Sequence, residues 1–219
     1  MSWGSIYRDR AVAGAALAHY LIGYAGREDV TVLALPRGGV PVAYPIAVSL
    51  AAPLDVLGVC KLGVPGHEEL AMGAIASGGV RVLNDDVIEG FAIRPDVIEM
   101  ATESASARLA GQESRFGLAG PRAPIAGRVV ILVDDGLATG STMEAAVAAA
   151  RQGGATRIIV AVPVGALSSV ARLRYLVDEV VCPVMPSPFR AVGLAYEDFS
   201  AVPDEDVVWL LTTASHRAS

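Results

Sequence analysis

The sequence predicts an α/β fold built on a doubly wound, mainly parallel sheet. Three observations carry this. Short runs of β-branched and other apolar residues alternate with stretches of helical pattern. The composition is rich in Ala, Val and Gly and only 5% aromatic, which suits helices packed closely on a buried parallel sheet. Distinctive loops also follow Leu35, Lys61 and Val133, and a doubly wound sheet binds ligands beyond the carboxyl ends of its strands.

The elements follow in order. Asp9 is placed to cap a helix running to about Tyr24. Val30 to Leu35 is a buried strand that stops at Pro36, and a helix begins at Pro41 and runs to about Leu50. Leu54 to Lys61 reads as a second strand. Leu62 to Gly79, with Gly63, Gly66, Gly73, Gly78 and Gly79, reads as a long loop. Val80 to Leu83 is a short strand, and Pro95 to Phe116 a long helix with charges on one face. After a connector, Arg128 to Val133 is the most apolar strand and Ser141 to Gln152 the helix behind it. Ala155 to Val162, Ala166 to Leu176 and Glu179 to Val184 complete the alternation as strand, helix and strand. A tail beyond Pro186 carries Phe189, Tyr196, Phe199 and Trp209.

Composition excludes several classes. A chain of 219 residues can bury a sizeable core. Its 17 basic and 23 acidic residues leave a net charge of -6, which argues against a nucleic-acid binder working through counterion release. Mean hydropathy is high, at +0.49, yet no uncharged apolar stretch is long enough to span a membrane, and the N-terminus does not read as a signal peptide. Cys60 and Cys182 lie far apart in apolar runs, as buried free thiols in a reducing cytoplasm would. They cannot make a zinc site, and we expect a cytoplasmic protein.

The chemistry is concentrated between Val129 and Met143. A buried strand delivers Asp134 and Asp135 to the sheet edge, and the loop Gly136-Leu137-Ala138-Thr139-Gly140 opens into a helix at Ser141-Thr142. Successive backbone amides in such a turn, the positive helix terminus and the hydroxyls of Thr139, Ser141 and Thr142 make a site for a phosphate dianion. The carboxylates cannot bind that anion. They suit the hydroxyls of an attached sugar, or a metal ion. A Gly-Lys-Ser/Thr ending and a Gly-x-Gly-x-x-Gly fingerprint are both absent, so the other common phosphate loops do not fit.

This segment resembles the signature of the type I phosphoribosyltransferases, which bind 5-phosphoribosyl 1-pyrophosphate. The resemblance covers most of the chain, and Pro36-Arg37-Gly38-Gly39, Cys60-Lys61 and the tail are similar to a bacterial subgroup of the family. It implies that Asp134 and Asp135 hold the ribose hydroxyls and order Mg2+, and that residues from Gly136 to Thr142 cradle the 5-phosphate. Arg37, Gly38, Gly39 and Lys61 would bind pyrophosphate, with a cis peptide between Pro36 and Arg37. It also implies a flexible loop over about 62–79 that closes on the substrate, within a core of residues 1–185. A C-terminal hood over 186–219, belonging to the same domain, would let Phe189 and Tyr196 stack on a planar base. A homodimer is a further analogy.

The implied reaction displaces pyrophosphate from ribose C1 with a nitrogenous base, purine-like by preference, or another small amine. Lys61, Asp134 and Asp135 would carry it. Ala138 stands where 6-oxopurine enzymes have an aspartate, whereas the tail around Phe189 loosely resembles the hood of those enzymes, so the clues to the acceptor conflict. His67, Glu68 and Glu69 begin like a zinc protease motif, but Ala71 occupies the place of its second histidine. Any of those three could assist proton transfer from a closing loop. Two rival functions remain: a non-catalytic sensor of phosphoribosyl compounds or nucleotides on the same fold, and a hydrolase or exchange enzyme using the same donor site.

Overall fold

A computed structural model describes residues 6–116 and 123–216. Its elements are α1 (Arg10–Tyr20), β1 (Val30–Ala34), α2 (Gly39–Leu50), β2 (Leu54–Val56), β3 (Val59–Val64), β4 (His67–Ala76) and β5 (Val80–Leu83). They continue with α3 (Asp85–Gly90), α4 (Pro95–Arg115), β6 (Val129–Val133), α5 (Ser141–Gln152), β7 (Arg157–Ala161), α6 (Leu167–Leu173), β8 (Glu179–Val181) and α7 (Asp204–Ser215).

The main sheet has the order β2-β1-β6-β7-β8, and every pairing in it is parallel. This is the expected doubly wound α/β fold. Alternate residues of each central strand feed opposite faces. Val30, Val32, Ala34, Val129, Ile131 and Val133 pack beneath helices α1 and α2, with α7 contributing Val207. Leu33, Leu35, Val130, Leu132, Ile158 and Val160 pack against α5 and α6. Burial on both faces explains why these strands read as continuous apolar runs rather than alternating ones.

The sequence predicts a single strand from Leu54 to Lys61, and here the structure corrects it. The strand breaks after Val56, and β3 enters a separate antiparallel sheet, β3-β4-β5. Gly58 sits at the crossover. A Cβ there would lie 2.5 Å from Leu109 Cδ1, so only glycine lets the chain pass α4 this closely. Its amide donates to Ser77 Oγ at 2.8 Å, which fixes the departure.

The segment 62–79 is therefore not a structureless loop but the greater part of a hairpin arm. Val64 pairs with His67 across the turn Pro65-Gly66, and Gly66 has φ 78°. Proline followed by a positive-φ glycine is the signature of a type II turn. Leu62, Val64, Met72 and Ile75 form a small core of their own with Ile98, Ala105 and Leu109 of α4. The glycines that suggest mobility in the sequence thus include turn residues of an ordered ribbon.

The tail is more structured than expected. Tyr7 and Tyr196 form a parallel bridge, a short 3-10 turn spans Val192–Ala195, and α7 packs on α2. The last strand of the sheet ends at Val181 rather than Val184. Pro183, two residues on, has no amide to extend the ladder.

Candidate functional site

The strand order reverses between β1 and β6, and in open α/β sheets the crevice at that point is where ligands bind. The two strands carry the two expected loops to it. Leu35 N donates to the Val133 carbonyl at 2.8 Å, which extends the pairing to the last turn before the loops diverge. A Cβ on Gly39 would lie 2.6 Å from that same carbonyl, and one on Gly38 only 2.0 Å from Asp135 Oδ2. The glycines of Pro36-Arg37-Gly38-Gly39 are therefore required for the two loops to touch. The peptide between Pro36 and Arg37 is cis, in keeping with the family resemblance.

Asp134 and Asp135 leave the end of β6 together. Asp134 Oδ1 accepts from Asp135 N at 2.8 Å. Burial, and then the neighbouring Asp135 charge, push the Asp134 carboxyl up to about 8. Asp135 is also raised by burial, against the opposing pull of Arg10, whose Nε donates to Oδ2 at 2.8 Å.

The loop that follows is anchored from one side. Ala166 N donates to the Leu137 carbonyl, Ser169 Oγ to that of Ala138, and the Arg172 guanidinium to that of Thr139. Arg172 also pairs with Glu144 of α5 at 3.1 Å. With these carbonyls engaged toward α6, Gly140 (φ 82°) turns the chain into α5 at Ser141. Ala138 and Thr139 are exposed, and the Thr139 and Ser141 hydroxyls lie 3.2 Å apart. A helix N-terminus with hydroxyls beside it is chemically suited to receive an anion.

Leu137 is an exception among the expected phosphate residues. Its side chain is buried in the core and its amide donates to the Val164 carbonyl at 2.9 Å, so it anchors the loop. Gly136 is held against the tail, where a Cβ would meet Val192 Cγ1 at 2.3 Å.

Lys61 is not at the end of a strand of the main sheet. It lies within β3 of the arm, and its Nζ donates to Ser141 Oγ at 3.1 Å. The structure thus puts this cation, expected to bind pyrophosphate, beside the first residue of α5. Arg37 lies on the other loop, where it pairs with Asp204 of α7 across 3.4 Å with half its side chain exposed.

Tyr196 also departs from expectation. It is 5% exposed, its ring lies between those of Tyr7 and Phe199, and its hydroxyl donates to the Asp135 carbonyl at 2.5 Å. It braces the aspartate loop and offers no open face to a base. Phe189 is partly buried against the same cluster. His67 is exposed beside the hairpin turn with its ring edge-on to Phe91. The side chains of Glu68 and Glu69 lie outside the described residues.

Sequence reasoning missed Arg10. The cap at Asp9 places it at the first position of α1, but nothing in the local pattern shows that it meets a residue so distant in the chain.

Among the described residues no three His, Cys, Asp or Glu side chains converge as a metal cage. The donor set at the crevice is a pair of adjacent carboxylates. That suits magnesium, which keeps waters and takes its other oxygens from phosphates, and does not suit a structural zinc.

Sheet order, cis-peptide loop and acidic phosphate loop together define a phosphoribosyltransferase-type protein. The phosphoribosyl transferase domain matches residues 2–198, and the chain belongs to that family. A crystal structure of the Thermus thermophilus protein TT1426 has 42% sequence identity to this chain and a TM-score of 0.87, covering 94% of this chain and 98% of that one. Versions from two strains of a Mycobacterium tuberculosis protein, provisionally named a phosphoribosyl transferase, are each 46% identical over 212 residues. That match covers 97% of this chain but 47% of theirs, so the chain spans about half the length of these curated relatives. No helix among the described residues is long and apolar enough to cross a membrane.

Proposed function

We propose that the protein transfers the 5-phosphoribosyl group of 5-phosphoribosyl 1-pyrophosphate to a nitrogenous base or another small amine, with magnesium. The observation that carries this reading is the meeting of two loops at the β1/β6 crevice. One presents Asp134 and Asp135 beside a hydroxyl-rich turn, and the other packs Gly38 on the Asp135 carboxylate and Gly39 on the backbone of Val133 and Asp134, with Arg37 next to them in the chain.

Each part has a role in that reaction. The amides and hydroxyls from Ala138 to Thr142 hold the 5-phosphate, and Lys61 adds its charge there through the arm. Asp134 and Asp135 accept from the ribose hydroxyls and are the residues to order magnesium. Magnesium held by these carboxylates would supply positive charge to offset that of the pyrophosphate. Arg37 and the Gly38-Gly39 backbone take up the negative charge that builds on the departing pyrophosphate. The acceptor nitrogen attacks C1 as the bond to pyrophosphate breaks, so the protein's task is positioning and charge stabilisation rather than nucleophilic catalysis. Phe189 lies on the hood side, from which the base would enter. The β3–β4 arm is the element suited to shield C1 from water.

The test is purified protein with magnesium and the donor, presented with a panel of bases and amines. Release of pyrophosphate matched by a new nucleotide mass supports the proposal. No product from any acceptor, together with slow hydrolysis of the donor, would favour the hydrolase reading instead.

A further inference from the structure

Arg10 makes contacts out of proportion to its place at the start of a surface helix. Its Nε donates to Asp135 Oδ2 at 2.8 Å, and a second nitrogen, Nη1, donates to the Ser200 carbonyl at 2.9 Å. Its guanidinium carbon sits 4.0 Å from the centre of the Phe199 ring and 5.9 Å from that of Tyr196. The side chains of Arg10 and Asp135 are only 11% and 17% exposed. Removing two charges from water to this degree costs as much as their attraction returns, so such a pair is weak evidence of a stabilising role. Its use is better sought in orientation.

The surroundings of Asp135 agree. The Tyr196 hydroxyl holds its carbonyl, Arg10 holds its carboxylate, and Gly38 leaves the room that the carboxylate fills. The residue is thus fixed at backbone and side chain by groups from α1, the first loop and the hood. Asp134, by contrast, has its Oδ1 turned back on the next amide.

We propose that Arg10 is a positioning residue. It orients the Asp135 carboxylate for a ribose hydroxyl of the phosphoribosyl ligand and ties that carboxylate to the hood through Phe199 and Ser200. This rests on the reading of the crevice as a phosphoribosyl site. It adds that the ribose contact depends on a side chain outside both loops.

The experiment is calorimetric titration with two probes, ribose 5-phosphate and inorganic phosphate, which differ only by the sugar. The proteins are wild type, R10Q, R10K, D135N and the double variant R10Q/D135N, with thermal unfolding followed in parallel. Loss of a group that orients a ligating side chain commonly costs about tenfold to a hundredfold. We expect R10Q to lose about tenfold for ribose 5-phosphate and to change little for phosphate. R10K should recover part of that loss, and the double variant should bind no worse than D135N alone. Phe199→Leu, which leaves the ion pair intact, should show a smaller loss of the same kind. Equal losses for both probes, or losses that add in the double variant, would assign Arg10 a merely structural role and overturn the proposal. If wild type itself does not distinguish the two probes, the ribose reading of the crevice fails and this inference fails with it.

Discussion

The Lys61 ammonium donates to the Ser141 hydroxyl across 3.1 Å and so joins the antiparallel arm to the first residue of helix α5. A cation from one sheet thereby reaches the helix that follows the central strand of the other. Hydrogen bonds to charged groups are worth about 1.5–3 kcal/mol, so Lys61→Met should weaken phosphate binding about tenfold or more. Ser141→Ala, which leaves the charge in place, should cost less. Equal affinities for phosphate in Lys61→Met and wild type would remove Lys61 from the site.

Gly38 lies where the first loop packs on the second. A methyl group there would sit 2.0 Å from Asp135 Oδ2, which Arg10 holds in place. Gly38→Ala must displace that carboxylate or the loop, so donor binding should be lost while the main sheet remains folded. Circular dichroism with calorimetry checks both halves of that expectation.

Gly136 tests the contact between the aspartate loop and the tail. Gly136→Ala drives a methyl into Val192 Cγ1, and overpacking of this kind costs about 1–3 kcal/mol. Adding Val192→Ala should recover most of the loss, as read from urea midpoints. If the two losses simply add, the contact is not the cause.

Asp134 makes stability depend on pH. Its carboxyl is pushed up to about 8 in the folded protein, while the unfolded chain releases that proton near the ordinary carboxylate value of about 4. The folded state therefore binds the proton more tightly, so this contribution is fully present below about pH 4 and is lost as pH rises toward 8. Asp134→Asn cannot ionise. It should be more stable than wild type at about pH 8, by on the order of a few kcal/mol, and the advantage should vanish near pH 4. Parallel stability curves for the two proteins would contradict this.

Asp9 supports the site at one remove. Its side chain accepts from Val12 N at 2.8 Å and caps the helix that presents Arg10. Asp9→Ala should cost about 1 kcal/mol, seen as a lower unfolding midpoint, with a smaller effect on ribose 5-phosphate binding than the change at Arg10 itself.

Much of this was legible in the sequence for identifiable reasons. β1 and β6 are buried on both faces, so their apolar runs were unambiguous. The loop after Val133 stands out in the sequence because small residues, hydroxyls and a helix start lie within a few consecutive positions. The arm was misread because glycine signals both looseness and tight turns, and the Pro65-Gly66 turn marks the second. Helix α7 was missed because only a stripe of it, through Val207 and Ala214, is buried against the rest of the chain.

The sequence by itself determined the α/β class, the two loops of the crevice and the adjacent carboxylates, since each depends on neighbours in the chain. Tertiary structure alone decided that Lys61 meets Ser141, that Tyr196 is buried against the aspartate loop, and that Arg10 grips Asp135. Those contacts join residues 80, 61 and 125 positions apart. Local propensity carries no information about such pairs. They exist because parallel crossovers bring separate loops to one edge of the sheet, where close packing selects the side chains that meet.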